Sequence, residues 1–277
     1  MHTILDLDLD FFVWPAFRGR PEEARLPRCE WNQLASKDHV RSFLEKQCHL
    51  SRQALVPGCE AEEHQDAFNV WRRWIEDRAI IAPFNVVHAD AHSDLGSGLP
   101  NRSRTFIETE LLALSIEERR YPIFGPDHLN SGNYLLGVIA NRWVSHLTYV
   151  YPADRTEAVP VRIGRLPRFE DDMLELTKLQ PADQEHPVRD LPAWIFRNDD
   201  WRTQLIELKQ YDPIRHRRSY ENDHPVHREP PVPLKWIEER EFATSSITHM
   251  FLAHSPEYTP TEADELLPCV GEYFYRI

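Results

Sequence analysis

Hydrophobic and polar positions alternate over residues 1–10, where Ile4, Leu5, Leu7 and Leu9 are set against Asp6, Asp8 and Asp10, the period-two pattern of a strand. Residues 11–35 carry Pro15, Gly19, Pro21 and Pro27 and predict an irregular connection. Val40, Phe43 and Leu44 fit one face of a helix started near Ser36 or Asp38, and Pro57-Gly58 predicts a break. From residue 65 to about 78, Ala67, Phe68, Trp71, Trp74 and Ile75 recur at three and four, an amphipathic helix whose two tryptophans belong to the core. Pro83 ends the next link, and Phe84-Asn85-Val86-Val87 reads as a buried strand.

Further along, Thr105-x-x-Glu108 has the form of a capping box and predicts a helix to about Arg119. Residues 134–143 predict another helix, 147–151 a strand, and 247–253 a final apolar strand ending at His254-Ser255-Pro256-Glu257. Residues 152–240 are rich in proline and charge, with strand or helix pieces at 191–196 and 201–208 and a surface loop from 222. Strands alternating with helices predict an α/β fold: a three-layer α/β/α domain over residues 1–277, with a mostly parallel central sheet. Ligands in such sheets collect at the carboxyl ends of strands.

Composition narrows the function classes. A hydrophobic fraction of 41% in 277 residues supports a folded core, and no apolar run is long enough for a membrane span. The N-terminus lacks the basic and apolar regions of a signal peptide. Cys29, Cys48, Cys59 and Cys269 are widely spaced, as expected of reduced thiols in the cytoplasm. A net charge of −13 argues against a nucleic-acid partner and is compatible with a cationic substrate.

The chemistry concentrates in two stretches, Asp6-Leu-Asp8-Leu-Asp10 and His88-Ala-Asp90-Ala-His92-Ser-Asp94. Residues two apart on a strand share a face, so Asp90, His92 and Asp94 can converge, as can Asp8 and Asp10. Gathered carboxylates need a cation, and mixed carboxylate and imidazole donors suit manganese, iron or zinc.

Asp90-Ala-His92-Ser-Asp94 resembles the Asp-Ala-His-x-Asp motif of the arginase and agmatinase family, the ureohydrolases, whose fold is shared with histone deacetylases. His64, placed ahead of a helix and then the motif strand, and Ser131-Gly132-Asn133 resemble further features of that family. The order departs from it: the Asp-x-Asp strand comes first, Glu62-Glu63-His64 replaces Gly-Gly-Asp-His, and Leu135 stands where arginases carry a histidine. The rearranged order resembles a ureohydrolase-related family whose characterised members are peptide arginases, which convert arginine to ornithine within ribosomally made peptides.

The resemblance implies a cytoplasmic hydrolase with two Mn2+ ions, other divalent ions being possible, and an arginine-containing precursor peptide as substrate. One ion would take His64, Asp90, Asp94 and an N-terminal aspartate; the other His92, Asp90 and two aspartates of that strand. Asp8 and Asp10 are the favoured pair, being nearest the strand's carboxyl end, with Asp6 as an acceptor behind a ligating histidine; Asp6 with Asp8 is the other register. Asp94 would also take a proton from the attacking water. Glu257 would hold the guanidinium, unless it is a solvated loop residue, and His254 would shuttle protons, unless it binds backbone. Ser131 and Asn133 would contact substrate, His88 would pack below the site, His128 is the second choice to His64 for the ligating histidine, and His224 and His227 are solvated. A free-arginine or agmatine ureohydrolase, a one-zinc deacetylase-like amidohydrolase, an aspartate-based phosphatase using Asp8-Leu-Asp10 and a non-catalytic metal-stabilised protein are the competing readings.

Overall fold

The computed structural model describes residues 1–15, 25–95, 106–125, 128–152, 172–178, 194–196, 227–228, 230 and 232–277. The chain forms two compact units: Met1–Ser93, His146–Ala158 and Trp236–Ile277 make one, Asp94–Ser145 and Val159–Lys235 the other. The strands in chain order are β1 (Thr3–Asp8), β2 (Val13–Trp14), β3 (Gln33–Leu34), β4 (Val56–Ala61), β5 (Phe84–Ala89), β6 (Val144–Tyr151), β7 (Asp172–Lys178), β8 (Trp194–Phe196), β9 (His227–Arg228), β10 (Val232–Glu238), β11 (His249–Ala253) and β12 (Phe274–Arg276).

The first unit is built on the order β12-β4-β11-β1-β5-β6. The ladders β12–β4, β4–β11, β11–β1 and β1–β5 are all parallel, giving the mostly parallel central sheet expected. Alternation in β1 then decides the layers. Leu5 and Leu7, with Val87, Ala89, Met250 and Leu252, join a core completed by Val40, Phe43, Leu44, Leu266 and Val270, so the helical segments Lys37–Ser42, Phe43–Gln47 and Leu267–Val270 cover that face. Asp6 and Asp8 point to the opposite face, where the helix Asp66–Glu76 packs. There Trp71 meets Phe84 and Phe251 edge-on, at 5.8 and 6.5 Å between ring centres, and Trp74 meets His249 at 5.5 Å. Both tryptophans are core residues, as their spacing predicts.

Local chemistry corrects several expectations. Ser36 caps the first helix by accepting from the His39 amide. Pro57-Gly58 does not break the chain but lies inside β4. Proline is tolerated because the ladder to β11 starts only at Gly58, and Gly58 is required because a Cβ there would sit 2.7 Å from both the Met250 carbonyl oxygen and the Phe274 ring. β11 is not the last strand, since β12 pairs with the outer edge of β4.

In the second unit the expected long helix before Arg119 is instead a π segment, Phe106–Glu110, and two 3-10 turns, Leu111–Ala113 and Glu118–Arg120. The reciprocal capping pair is Ser115 with Glu118: the Glu118 amide donates to Ser115 Oγ, and the Ser115 amide donates to Glu118 Oε2. Thr105 lies outside the described residues. Buried Arg119 donates to the carbonyls of Leu112, Leu114 and Ala140, the last at the end of the helix Tyr134–Ala140. β7 pairs antiparallel with β8, with β9 and with Val232–Leu234 of β10. His227 therefore belongs to a strand, while the expected pieces at 201–208 and 222–226 lie outside the described residues. Cys48, Cys59 and Cys269 are free thiols. Among the described residues no helix is long and apolar enough to cross a membrane.

Candidate metal centre

Both acidic motifs run past the ends of their strands, and turns rather than strand parity finish their convergence. β1 stops at Asp8, and Leu9–Phe12 form a 3-10 helix that Asp8 caps, its Oδ1 accepting from the Asp10 amide at 2.9 Å. β5 stops at Ala89, and the His92 amide donates to Asp90 Oδ1, folding the chain back on itself. The Ala91 amide donates to Asp10 Oδ1 at 3.1 Å, which joins the two turns, and the Asp90 amide donates to Val150 of β6 at 3.3 Å.

Parallel register places Asp6 beside His88 and Leu7 beside Ala89, so the two motifs advance side by side. At the first position, His88 Nδ1 lies 2.8 Å from Asp6 Oδ2. At the second, Asp8 and Asp90 meet through His64, whose Nδ1 is 3.0 Å from Oδ2 of each. At the third, His92 Nδ1 is 2.8 Å from Asp10 Oδ2 and 3.6 Å from Asp90 Oδ1. His64 arrives from the turn ahead of the helix Asp66–Glu76, and its Nε2 is 3.1 Å from Asp6 Oδ1.

Within the first unit, two of the donor groups that include Asp90 lie on its two oxygens: Asp8 and His64 with Asp90 Oδ2, Asp10 and His92 with Asp90 Oδ1. Adjacent ligands around an octahedral ion with bonds of about 2.1 Å stand about 3.0 Å apart, and around tetrahedral zinc about 3.4 Å apart. The 2.8–3.6 Å separations bracket that range, with the two His64 contacts at 3.0 Å. All these side chains are buried except His92, which is 31% exposed and marks the side open to solvent. A third group, Asp6 with His64 and His88, is also close enough to hold an ion. Its geometry equally suits support: His88 Nε2 faces the His92 carbonyl at 3.1 Å, and its ring stacks on His64 and lies tilted against Tyr149.

The electrostatics ask for positive charge. Asp6, Asp8, Asp10 and Asp90 are four buried carboxylates facing three imidazoles, so even three imidazolium ions would leave one negative charge unmatched. Burial alone would raise the Asp6 carboxyl, but the charges and hydrogen bonds of His64 and His88 outweigh it and hold it at about 2. Asp10 is pushed well above the carboxylate range by burial and then by the charges of Asp8 and Asp90. Asp90 is held low despite burial by hydrogen bonds from His64 and His92 and the charges of His88 and His64. His92 is raised well above the usual imidazole value: burial opposes its charge, but Asp10 and Asp90 favour it more strongly. A cation placed among these carboxylates would relieve the repulsion that raises Asp10. The buried aspartates and histidines could hold divalent metal ions, and their hard oxygen and imidazole donors suit that class.

Other residues singled out in the sequence occupy distinct positions. Asp94 opens the second unit, is buried, and has a left-handed backbone, φ +46°. Glu257 is exposed on the loop after β11. His254 receives no backbone hydrogen bond at its ring: Nε2 is buried without a hydrogen-bond partner among the described residues, while its backbone amide donates to the Ala61 carbonyl. In the second unit Asn133 is fully buried, its Oδ1 accepting from the Asn130 amide and its Nδ2 donating to the His128 carbonyl, so it shapes its own loop. Ser131 lies in that same turn, and His128 packs edge-on against Phe106. Two residues at the first-unit cluster carry no signal in the linear sequence. Ser255 Oγ donates to Asp8 Oδ2, and the Tyr258 ring lies 5.2 Å from that of His92. Only the pairing of β11 with β1, which sets Ala253 beside Asp8, brings them there. No protein-family model matches the chain, and no curated protein matches it.

Proposed function

We propose that the protein is a manganese-dependent hydrolase that acts on arginine residues of a ribosomally made precursor peptide, leaving ornithine in the chain and releasing urea. The observation that carries the metal-dependent part is the sharing of Asp90 between two donor groups at the carboxyl ends of adjacent parallel strands. The choice of guanidinium as substrate rests on the likeness of Asp90-Ala-His92-Ser-Asp94, His64 and Ser131-Gly132-Asn133 to the ureohydrolases. Leu135 supports a departure from free arginine: it is fully buried in the helix Tyr134–Ala140, where arginases carry a histidine.

His64, Asp8 and Asp90 would hold one ion and His92, Asp10 and Asp90 the other. Such ions lower the pKa of water from about 16 toward 7, which makes hydroxide available near neutrality. Forming that hydroxide would release one proton to solvent. Glu257, exposed and free of a fixed ion pair among those described, holds the guanidinium in a planar two-point contact. Water adds to the guanidinium carbon, and the bond from that carbon to the side-chain nitrogen breaks. His254 delivers the proton to the departing amine.

Incubation of the purified chain with Mn2+ and arginine-containing peptides tests the reading. Each modified arginine should lose the mass of CH2N2, with one urea released. Urea from free arginine alone would assign a free-amino-acid ureohydrolase, and deacetylation without urea would assign an amidohydrolase.

A further inference from the structure

Ser255 stands out because its backbone is strained and its side chain is committed. It is buried and adopts φ +46°, a left-handed conformation that favours glycine and costs a serine about 1 kcal/mol or more. Hydrogen bonds hold it on every side. Its amide donates to the Glu62 carbonyl at 2.8 Å, two residues before His64. Its carbonyl accepts from the Tyr258 amide at 2.9 Å and from Thr259 Oγ1 at 3.0 Å. Its hydroxyl donates to Asp8 Oδ2, the oxygen that also faces His64 Nδ1. A glycine would fit the turn with less strain, yet only a side-chain donor can reach Asp8 from there.

We propose that Ser255 is a positioning residue for the metal centre: it fixes the Asp8 carboxylate for ligation and ties the His64 turn and β11 to the end of β1. The inference rests on reading Asp8 and His64 as metal ligands. Outer hydrogen bonds of this kind orient a ligating carboxylate, and their loss typically weakens metal binding by about 10–100-fold. The strain at Ser255 is sustained by the four hydrogen bonds around it, two of which reach the segments that carry His64 and Asp8.

Two variants separate the hydroxyl from the backbone. Ser255→Ala removes the hydroxyl and keeps the strain; Ser255→Gly removes the hydroxyl and relaxes the strain. Mn2+ affinity is read by competition with a chelator, the coordination of Co2+ by its visible spectrum, and the fold by thermal unfolding in EDTA. Both variants should bind Mn2+ at least about tenfold more weakly, with an altered Co2+ spectrum. In EDTA, Ser255→Gly should unfold at a higher temperature than Ser255→Ala. If Ser255→Ala fails to fold, Ser255→Gly alone decides. Variants with the unaltered chain's affinity and Co2+ spectrum would overturn the proposal and leave Ser255 a loop residue. Weakened binding in Ser255→Gly alone, with Ser255→Ala unaffected, would assign the effect to backbone freedom and overturn it as well. If the unaltered chain binds neither Mn2+ nor Co2+, the metal reading fails and this proposal falls with it.

Discussion

Asp6-Leu-Asp8-Leu-Asp10 and His88-Ala-Asp90-Ala-His92 have the same spacing and lie side by side, yet the three positions they form are chemically unlike. The first and third set an acid beside an imidazole, Asp6 with His88 and Asp10 with His92, each at 2.8 Å. The middle one brings two acids, Asp8 and Asp90, to the same nitrogen of His64. An acid–imidazole pair can satisfy itself by sharing a proton. Two buried acids around one imidazole cannot, and that is where a cation contributes most. Distance from the strand end separates the positions further: Asp6 and His88 are on regular strand and fully buried, whereas Asp10 and His92 are in turns, with His92 open to solvent. The inner pair therefore sits deepest in the sheet, and the outer positions lie nearest solvent.

Breaking the middle position should have the largest effect. Asp90→Ala removes the carboxylate shared by both donor groups, and metal affinity should fall by more than the roughly hundredfold upper range seen for supporting residues, with a chelator-competition titration as the readout. Binding retained within tenfold would remove Asp90 from the centre. Asp6→Asn attacks the inner position and should weaken binding by about 10–100-fold without changing the number of ions bound. Loss of one ion in that variant would instead make Asp6 a ligand and restore the alternative register.

The smallest effect is expected at the opposite end of the same sheet face. His249, in register with Ile4, is a buried histidine, and burial followed by the charge of His2 pushes its pKa down to about 4. A depressed histidine is neutral in the fold and takes up its proton more readily when unfolded. Its contribution is therefore fully present above about 6.5 and is lost as pH falls toward 4. Denaturant unfolding from pH 7 to 4 should show a shallower decline in His249→Gln than in the unaltered chain. Parallel curves would show that His249 does not titrate across this range.

Much of this arrangement was legible in the sequence because it depends on local period and charge. The alternation of Leu and Asp in residues 4–9 predicts β1 and its two faces, and the helix carrying Trp71 and Trp74 follows from its spacing. The Asp8 and Asp10 register is favoured from distance to the strand end, while Asp6 lies 3.1 Å from His64 Nε2 and its group could also hold an ion. What was hidden depends on partners remote in sequence. Pro57-Gly58 reads as a break until β11 and β12 flank it and demand a residue without a Cβ. Thr105 and Ser115 carry similar capping signatures, and only the fold shows the pair that Ser115 forms with Glu118. Asp10 turns off the strand through a cap on Asp8, a detail that period-two reasoning does not contain. Ser255 reaches Asp8 across 247 residues, and no pattern near either one announces the contact.

The most direct test of the shared carboxylate is the metal content of the chain. After saturation with Mn2+ and removal of loosely bound ions, metal analysis of the purified protein should give two ions per chain, with anomalous density on both sides of Asp90. One tightly held zinc in place of two manganese ions, or no retained divalent ion at all, would contradict a two-metal centre built around Asp90.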